Sequence, residues 1–187
     1  MKKEKLDAFT DAVVAIIITL MVLEIKLPKV NAENLLDVLR HIGIYALSFI
    51  VIGITWLNYN LFFKYVEKLT PKIIWINFAF LFLLSLVPLP TQALGEDFYT
   101  PASHMFYGAI LGSVALTYTL LQYSANSHME HLSSAEIKTM NLKNWFATFM
   151  YAASIPLSMV SIYLSTAIFI LLPVMYFLPE RKLAGKA

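Results

Sequence analysis

What most constrains this chain is that charge repeatedly disappears from it for runs of about 20 residues. The stretch "AVVAIIITLMVL", Ala12 to Leu23, carries no charge, and Thr19 is its only polar member. A helix crosses the hydrocarbon core of a bilayer with about 20 mostly apolar residues at 1.5 Å each. Six segments meet or approach that length. They are residues 8–27, closed by Pro28; 42–63; 73–94, with Pro88 and Pro90 near its end; 103–123; and two spans cut from the apolar stretch 145–178. As one helix that last stretch would measure about 50 Å, too long for a core of about 30 Å. A turn near Tyr163–Ser165 is therefore expected, giving spans 145–162 and 165–178, with Pro156 and Pro173 kinking them.

Composition agrees with the segment pattern. The 187 residues are 59% hydrophobic and 14% charged, and mean hydropathy is +0.68. Soluble domains are nearer 45–50% apolar and 25% charged, so too little polar surface is present to cover a water-exposed globule. The expected class is an all-α, polytopic membrane protein. A net charge of +2 gives no footprint for nucleic acid, and the absence of cysteine excludes disulfides and thiolate metal sites. The opening "MKKEKLDAFTDAVVA" has a basic start, but Asp7 and Asp11 interrupt it and no A-x-A site closes it. It reads as a retained first span rather than a removed signal peptide.

Basic residues set the expected orientation. In a six-span arrangement Lys2, Lys3, Lys5, Lys64, Lys68, Lys72, Lys138, Lys143, Arg181, Lys182 and Lys186 fall on one side. Lys26, Lys29 and Arg40 fall on the other, eleven against three of the 14. The positive-inside rule places both termini in the cytoplasm. Residues 28–40 read as a short amphipathic surface helix, capped by Asn31, with Leu35, Leu36 and Leu39 on one face.

Two faces emerge on the first helix. Each residue turns about 100°, so Ile16, Leu20, Leu23 and Leu27 form one stripe with Thr19 beside it. Asp11, five positions before Ile16, points about 140° away. Its carboxylate has two readings: a first-turn acid favoured by the helix dipole, or a buried structural polar link to other helices. The stripe by itself is compatible with lipid or a neighbouring helix. Glu24 lies about 40° from Leu20 on the helical wheel and near the outer end. It either draws cations to a mouth or pairs with Lys26 or Arg40.

Residues 5–11, Lys-Leu-Asp-Ala-Phe-Thr-Asp, resemble the Arg-x-x-x-Phe-Ser-Asp opening of the transmembrane protein 175 family of potassium channels. Lys5 and Thr10 stand where the family has Arg and Ser. In segment two, "YALSFIVIGITWLNYNLFF" is similar to the family's Ser-Phe…Trp-x-x-His pattern. Trp56 matches it, while Tyr59 and Asn60 stand where histidines are expected. In segment three, "WINFAFLFLLSLVPLPTQ" supplies Asn77, Pro88 and Thr91 of the Asn…Leu…Pro-Phe-x-Thr run. Segments four to six match in length and hydropathy only.

The resemblance implies a bacterial, single-repeat homotetramer in the plasma membrane, without a cofactor, passing K+ and other monovalent cations along an axis lined by four first helices. By position, Ile16, Leu20 and Leu23 would form its constriction, with Thr19 contributing hydroxyls. Lys5, Phe9, Thr10, Asp11, Trp56 and Asn77 would hold the helix within its own subunit, and Glu24 would stand at the outer mouth. A narrow aliphatic ring gates by repelling water.

Other constellations carry less. His128-x-x-His131 has metal-like spacing, but His41 and His104 fall near the opposite membrane face, so no metal is expected. Gly108-x-x-x-Gly112 permits close helix packing, although such spacing arises by chance in an apolar chain. No nucleophile triad or phosphate loop appears, so an enzyme is not expected. A proton-coupled transporter or proton channel is the alternative; its transporter form would place ionisable groups at mid-depth, and segments two to six show none there.

Overall fold

The computed structural model describes residues 2–28, 33–129 and 132–177. Among these residues seven α-helices follow one another: α1 (Lys3–Leu23), α2 (Leu35–Phe63), α3 (Pro71–Ser85), α4 (Pro88–Glu96), α5 (Pro101–Ala125), α6 (Ser134–Val160) and α7 (Ile162–Phe177). A 3-10 turn, Asn126–His128, follows α5. Among the described residues there is no strand, only an isolated bridge between Val66 and Met129. Lys3–Leu23, Leu35–Phe63, the broken run Pro71–Glu96 and Pro101–His128 are long and apolar enough to cross a membrane, and Ile162–Tyr176 is a shorter apolar helix.

Several boundaries differ from the sequence expectation, each for a local reason. α1 stops at Leu23, so Leu27 lies beyond the helix and leaves the stripe. The expected surface helix and the span 42–63 are one helix, because Leu35 runs into α2 without interruption; Asn31 lies outside the described residues. The expected span 73–94 breaks between Ser85 and Pro88. Pro88 has no N–H to bond the carbonyl of Leu84, and its ring crowds that carbonyl. Val87 N–H bonds Leu84 instead, at 3.2 Å, and Pro88 opens α4 as its first residue. Near the C-terminus the turn falls at Ser161, which is extended, rather than at Tyr163–Ser165. α6 begins at Ser134, well before Trp145, because Ser133 and Glu136 form a reciprocal capping box. Hydropathy marks where a helix enters lipid, whereas caps mark where it begins.

Contacts between loops fix which ends share a side. Lys3 Nζ donates to the carbonyl of Lys64 at 3.2 Å. The N–H of Glu67 donates to the carbonyl of His128 at 3.1 Å. The N-terminus, the α2–α3 loop and the α5–α6 region therefore meet at one end. At the opposite end Lys26 approaches Glu96 at 3.8 Å, and the Arg40 guanidinium lies 5.3 Å from the Tyr99 ring centre. Among the described residues, Lys2, Lys3, Lys5, Lys64, Lys68, Lys72 and, on the first turns of α6, Lys138 and Lys143 belong to the first end, and Lys26 and Arg40 to the other.

The core is aromatic where α2, α3 and α5 meet. Tyr59 stacks on Phe63 at 4.8 Å and on Phe80 at 5.9 Å, and Phe62 meets Tyr118 edge-on at 5.8 Å. Offset and edge-on rings at these distances add to plain burial. Polar links tie the helices beside this cluster. Ser48 of α2 bonds the Tyr107 hydroxyl of α5 at 2.8 Å, and Thr91 of α4 donates to Ser48 at 2.8 Å.

Candidate functional site

Helix α1 is held by one narrow seam. Leu6, Thr10, Val14, Ile17 and Met21 are buried at steps of four, four, three and four residues, the spacing of a single helix face. The aliphatic stripe lies elsewhere on the helix. Ile16 is 56% exposed, Leu20 50% and Leu23 79%, and Thr19 is exposed with them. Among the described residues, no other helix covers this face. The Thr19 hydroxyl donates to the carbonyls of Ala15 and Ile16, at 3.0 and 2.9 Å. Its proton is thereby occupied and its oxygen lone pairs remain available.

The Phe9-Thr10-Asp11 corner is the anchorage. The Trp56 indole N–H of α2 donates to the Asp11 carboxylate at 2.8 Å. Thr10, fully buried, accepts from the Asn77 amide of α3 at 3.2 Å and shares a 3.3 Å hydrogen bond with the Tyr59 hydroxyl. Phe9 meets Phe78 edge-on, ring centres 5.5 Å apart. Three consecutive residues thus reach two helices. They can do so because successive side chains fan out by about 100°. Between the two readings of Asp11, the structural link is the one present: the carboxylate is exposed yet bonded across helices, on the far side of the seam from the stripe.

Not every expected residue joins this corner. Lys5 is exposed, and its ammonium has no hydrogen-bond or ionic partner among the described residues. Glu24 ends α1 and is exposed. Its alternative partners are engaged elsewhere, Lys26 with Glu96 and Arg40 with Asp37 at 2.8 Å. Glu24 instead borders a cleft with His41, Gln92 and Glu96 at the end opposite the lysine-rich one. His128 closes the 3-10 turn, while His131 lies outside the described residues.

Sequence reasoning underrated Tyr59, treating it as a departure from a motif. Its signal was present: Trp56 and Tyr59 are three residues apart and so share a face of α2, the face that grips α1. Ser48 and Tyr107 were also missed as a bonded pair, since nothing local in either segment points to a partner 59 residues away.

Comparison with known proteins places these features in a family. Residues 5–88, which carry the α1 corner, Trp56 and Asn77, match the family described as endosomal/lysosomal potassium channel TMEM175. A potassium channel of Chryseobacterium sp. (strain P1-3) is 31% identical over 185 residues, covering 98% of this chain and 96% of that protein. The crystal structure of a lysosomal potassium-selective channel TMEM175 homolog from Chamaesiphon minutus matches with a TM-score of 0.84 at 26% identity, covering 94% of this chain and 96% of that one. The Gallus gallus protein named endosomal/lysosomal proton channel TMEM175 is 31% identical over 131 residues, 63% of this chain and 26% of that protein. The fold, the α1 corner and near full-length relatedness agree: the chain is a multi-pass membrane protein and belongs to the TMEM175 potassium-channel family.

Proposed function

We propose that four copies of this chain form a potassium-selective channel whose axis is lined by α1. One observation carries the reading. α1 is bolted to its own subunit through the Thr10 and Asp11 corner, while Ile16, Thr19, Leu20 and Leu23 stay uncovered on another face. Four such faces brought together make stacked aliphatic rings along about 10 Å of the axis. A ring of that kind dewets when narrow and conducts when it widens. The Thr19 oxygens, with their protons donated backward, offer lone pairs that replace part of an ion's hydration shell. Four Glu24 carboxylates at one mouth raise the local cation concentration.

The subunit is read as one channel domain over residues 1–187. The lysine-rich end faces the cytoplasm by the positive-inside rule, with both termini there, and the membrane is the bacterial plasma membrane.

The test is current through the reconstituted protein under a potassium gradient. The expected reversal potential follows potassium, and Ile16→Asn, which wets the constriction, raises conductance. No potassium-selective current, or an Ile16→Asn channel indistinguishable from the parent, would overturn the proposal. The name of the Gallus gallus relative favours a second reading, proton conduction. A reversal potential that follows a pH gradient at equal potassium on both sides selects it.

A further inference from the structure

A second set of features lies away from α1. Between α2, α5, α6 and α7 is an open cleft. Its wall is apolar: Val51 and Ile54 from α2, Leu111 and Val114 from α5, Ala147 and Tyr151 from α6. It shares residues with a second cleft, among them Asn58, Asn144 and Tyr176. Here the lining turns polar. Gln122 is only 1% exposed. Its amide oxygen accepts from the Asn144 amide, and Tyr176 donates to the Asn144 oxygen at 2.9 Å. The Gln122 amide nitrogen has no hydrogen-bond partner among the described residues. Lys143 borders the same space, its ammonium 4.4 Å from the Tyr176 ring centre.

Buried amide N–H groups are almost always satisfied. Here an open apolar cleft ends at an unanswered buried donor and a cation. That is the complement of an amphiphile. The bilayer around this protein supplies one kind in abundance, and the positive charge of Lys143 selects its acidic members.

We propose that the α2–α5–α6–α7 cleft is a lipid site that takes one acyl chain of an anionic phospholipid, whose ester or phosphate oxygen accepts from Gln122 and faces Lys143. The chain fills the space bounded by Val51, Leu111, Val114 and Ala147. The site is separate from the α1 stripe and stands whether or not α1 lines a pore. Lipid bound there stabilises the packing of α6 and α7 on α2 and α5.

The experiment places the protein in nanodiscs containing phosphatidylglycerol with a diazirine in its acyl chain, followed by irradiation and mass mapping. Crosslinks are expected on the Val51–Asn58 and Leu111–Gln122 segments in excess of those on exposed residues such as Phe149. Ala147→Phe, which fills the cleft, and Gln122→Leu, which removes the donor, should each lower the cleft crosslinks about tenfold, as loss of one buried hydrogen bond or of the packing space would. Phe149 crosslinks should persist in both. Lys143→Glu should remove the preference over phosphatidylcholine of the same chain. Should Ala147→Phe fail to fold, Ala115→Leu fills the same wall. Elution volume and thermal unfolding of each variant show that folding is intact. Cleft crosslinks no richer than those at Phe149, or unchanged on filling, overturn the proposal. Crosslinking by a diazirine fatty acid but not by the phospholipid overturns it in favour of a free acid.

Discussion

Asp11 and Thr10 do different work although they are neighbours. Thr10 is a buried hub that two helices address at once, so Thr10→Val leaves the Asn77 amide N–H without its acceptor. An unsatisfied buried donor costs about 1–3 kcal/mol. Asp11 is exposed, and its bond to Trp56 is a charge-assisted single contact. A double-mutant cycle on Asp11→Ala and Trp56→Phe should return a coupling of about 1–2 kcal/mol, read as the non-additive part of the unfolding shift in detergent. Additive effects would show that the indole bond adds nothing to the anchorage. Asp11→Asn, which keeps an oxygen at the same place, should fall between the parent and Asp11→Ala. The aliphatic stripe was legible in the sequence because a helix repeats its face every three or four residues, and Ile16, Leu20 and Leu23 obey that repeat. The partner of Asp11 was not legible, because Trp56 is 45 residues away and only the rotation of α2 against α1 brings its N–H there.

Between elements, the Gly108-x-x-x-Gly112 spacing on α5 resolves into two unlike positions. A Cβ on Gly108 would sit 2.4 Å from the Ser154 hydroxyl oxygen of α6, whereas one on Gly112 would meet nothing nearer than Tyr151 Cβ at 3.6 Å. Gly108 is therefore needed for the approach of α5 to α6, and Gly112 is not. Gly108→Ala should destabilise by about 1–3 kcal/mol, the usual cost of overpacking. Adding Ser154→Ala should recover much of that loss, because it removes the atom in the way. Gly112→Ala should be neutral or mildly stabilising, since alanine favours the helix. Thermal unfolding of the four proteins decides the matter, and equal losses at the two glycines would contradict this account. The motif was visible in the sequence, but its meaning was not, since spacing alone is silent on which residue the facing helix presents. The same limit explains the missed start of α6. Its first turns, "SAEIKTMNLKN", are polar, and only the Ser133–Glu136 box announces a helix there.

Across the whole molecule, the contacts between loops turn a count of lysines into geometry. Lys3 on the Lys64 carbonyl and Glu67 on the His128 carbonyl gather the N-terminus and two loops at one end. Lys26 by Glu96 and Arg40 on Tyr99 gather the intervening loops at the other. For a bundle with such ends the positive-inside rule predicts insertion with the lysine-rich end inside. The chain contains no cysteine, so single cysteines report position without background. Lys68 and Asp97 are exposed and lie at opposite ends. In intact spheroplasts a membrane-impermeant maleimide should label Asp97→Cys and spare Lys68→Cys, and permeabilisation should make the two equal. Replacing Lys64, Lys68 and Lys72 together with Gln removes much of the bias, and a mixed labelling pattern at Asp97→Cys is then expected. The reverse pattern in the parent background, Lys68→Cys labelled and Asp97→Cys spared, would invert the orientation and place Glu24 at the cytoplasmic mouth. In that case, in the proposed pore, the carboxylates would gather cations from the cytoplasm rather than from outside, and the proposed Ile16–Leu23 constriction would be approached from its other side.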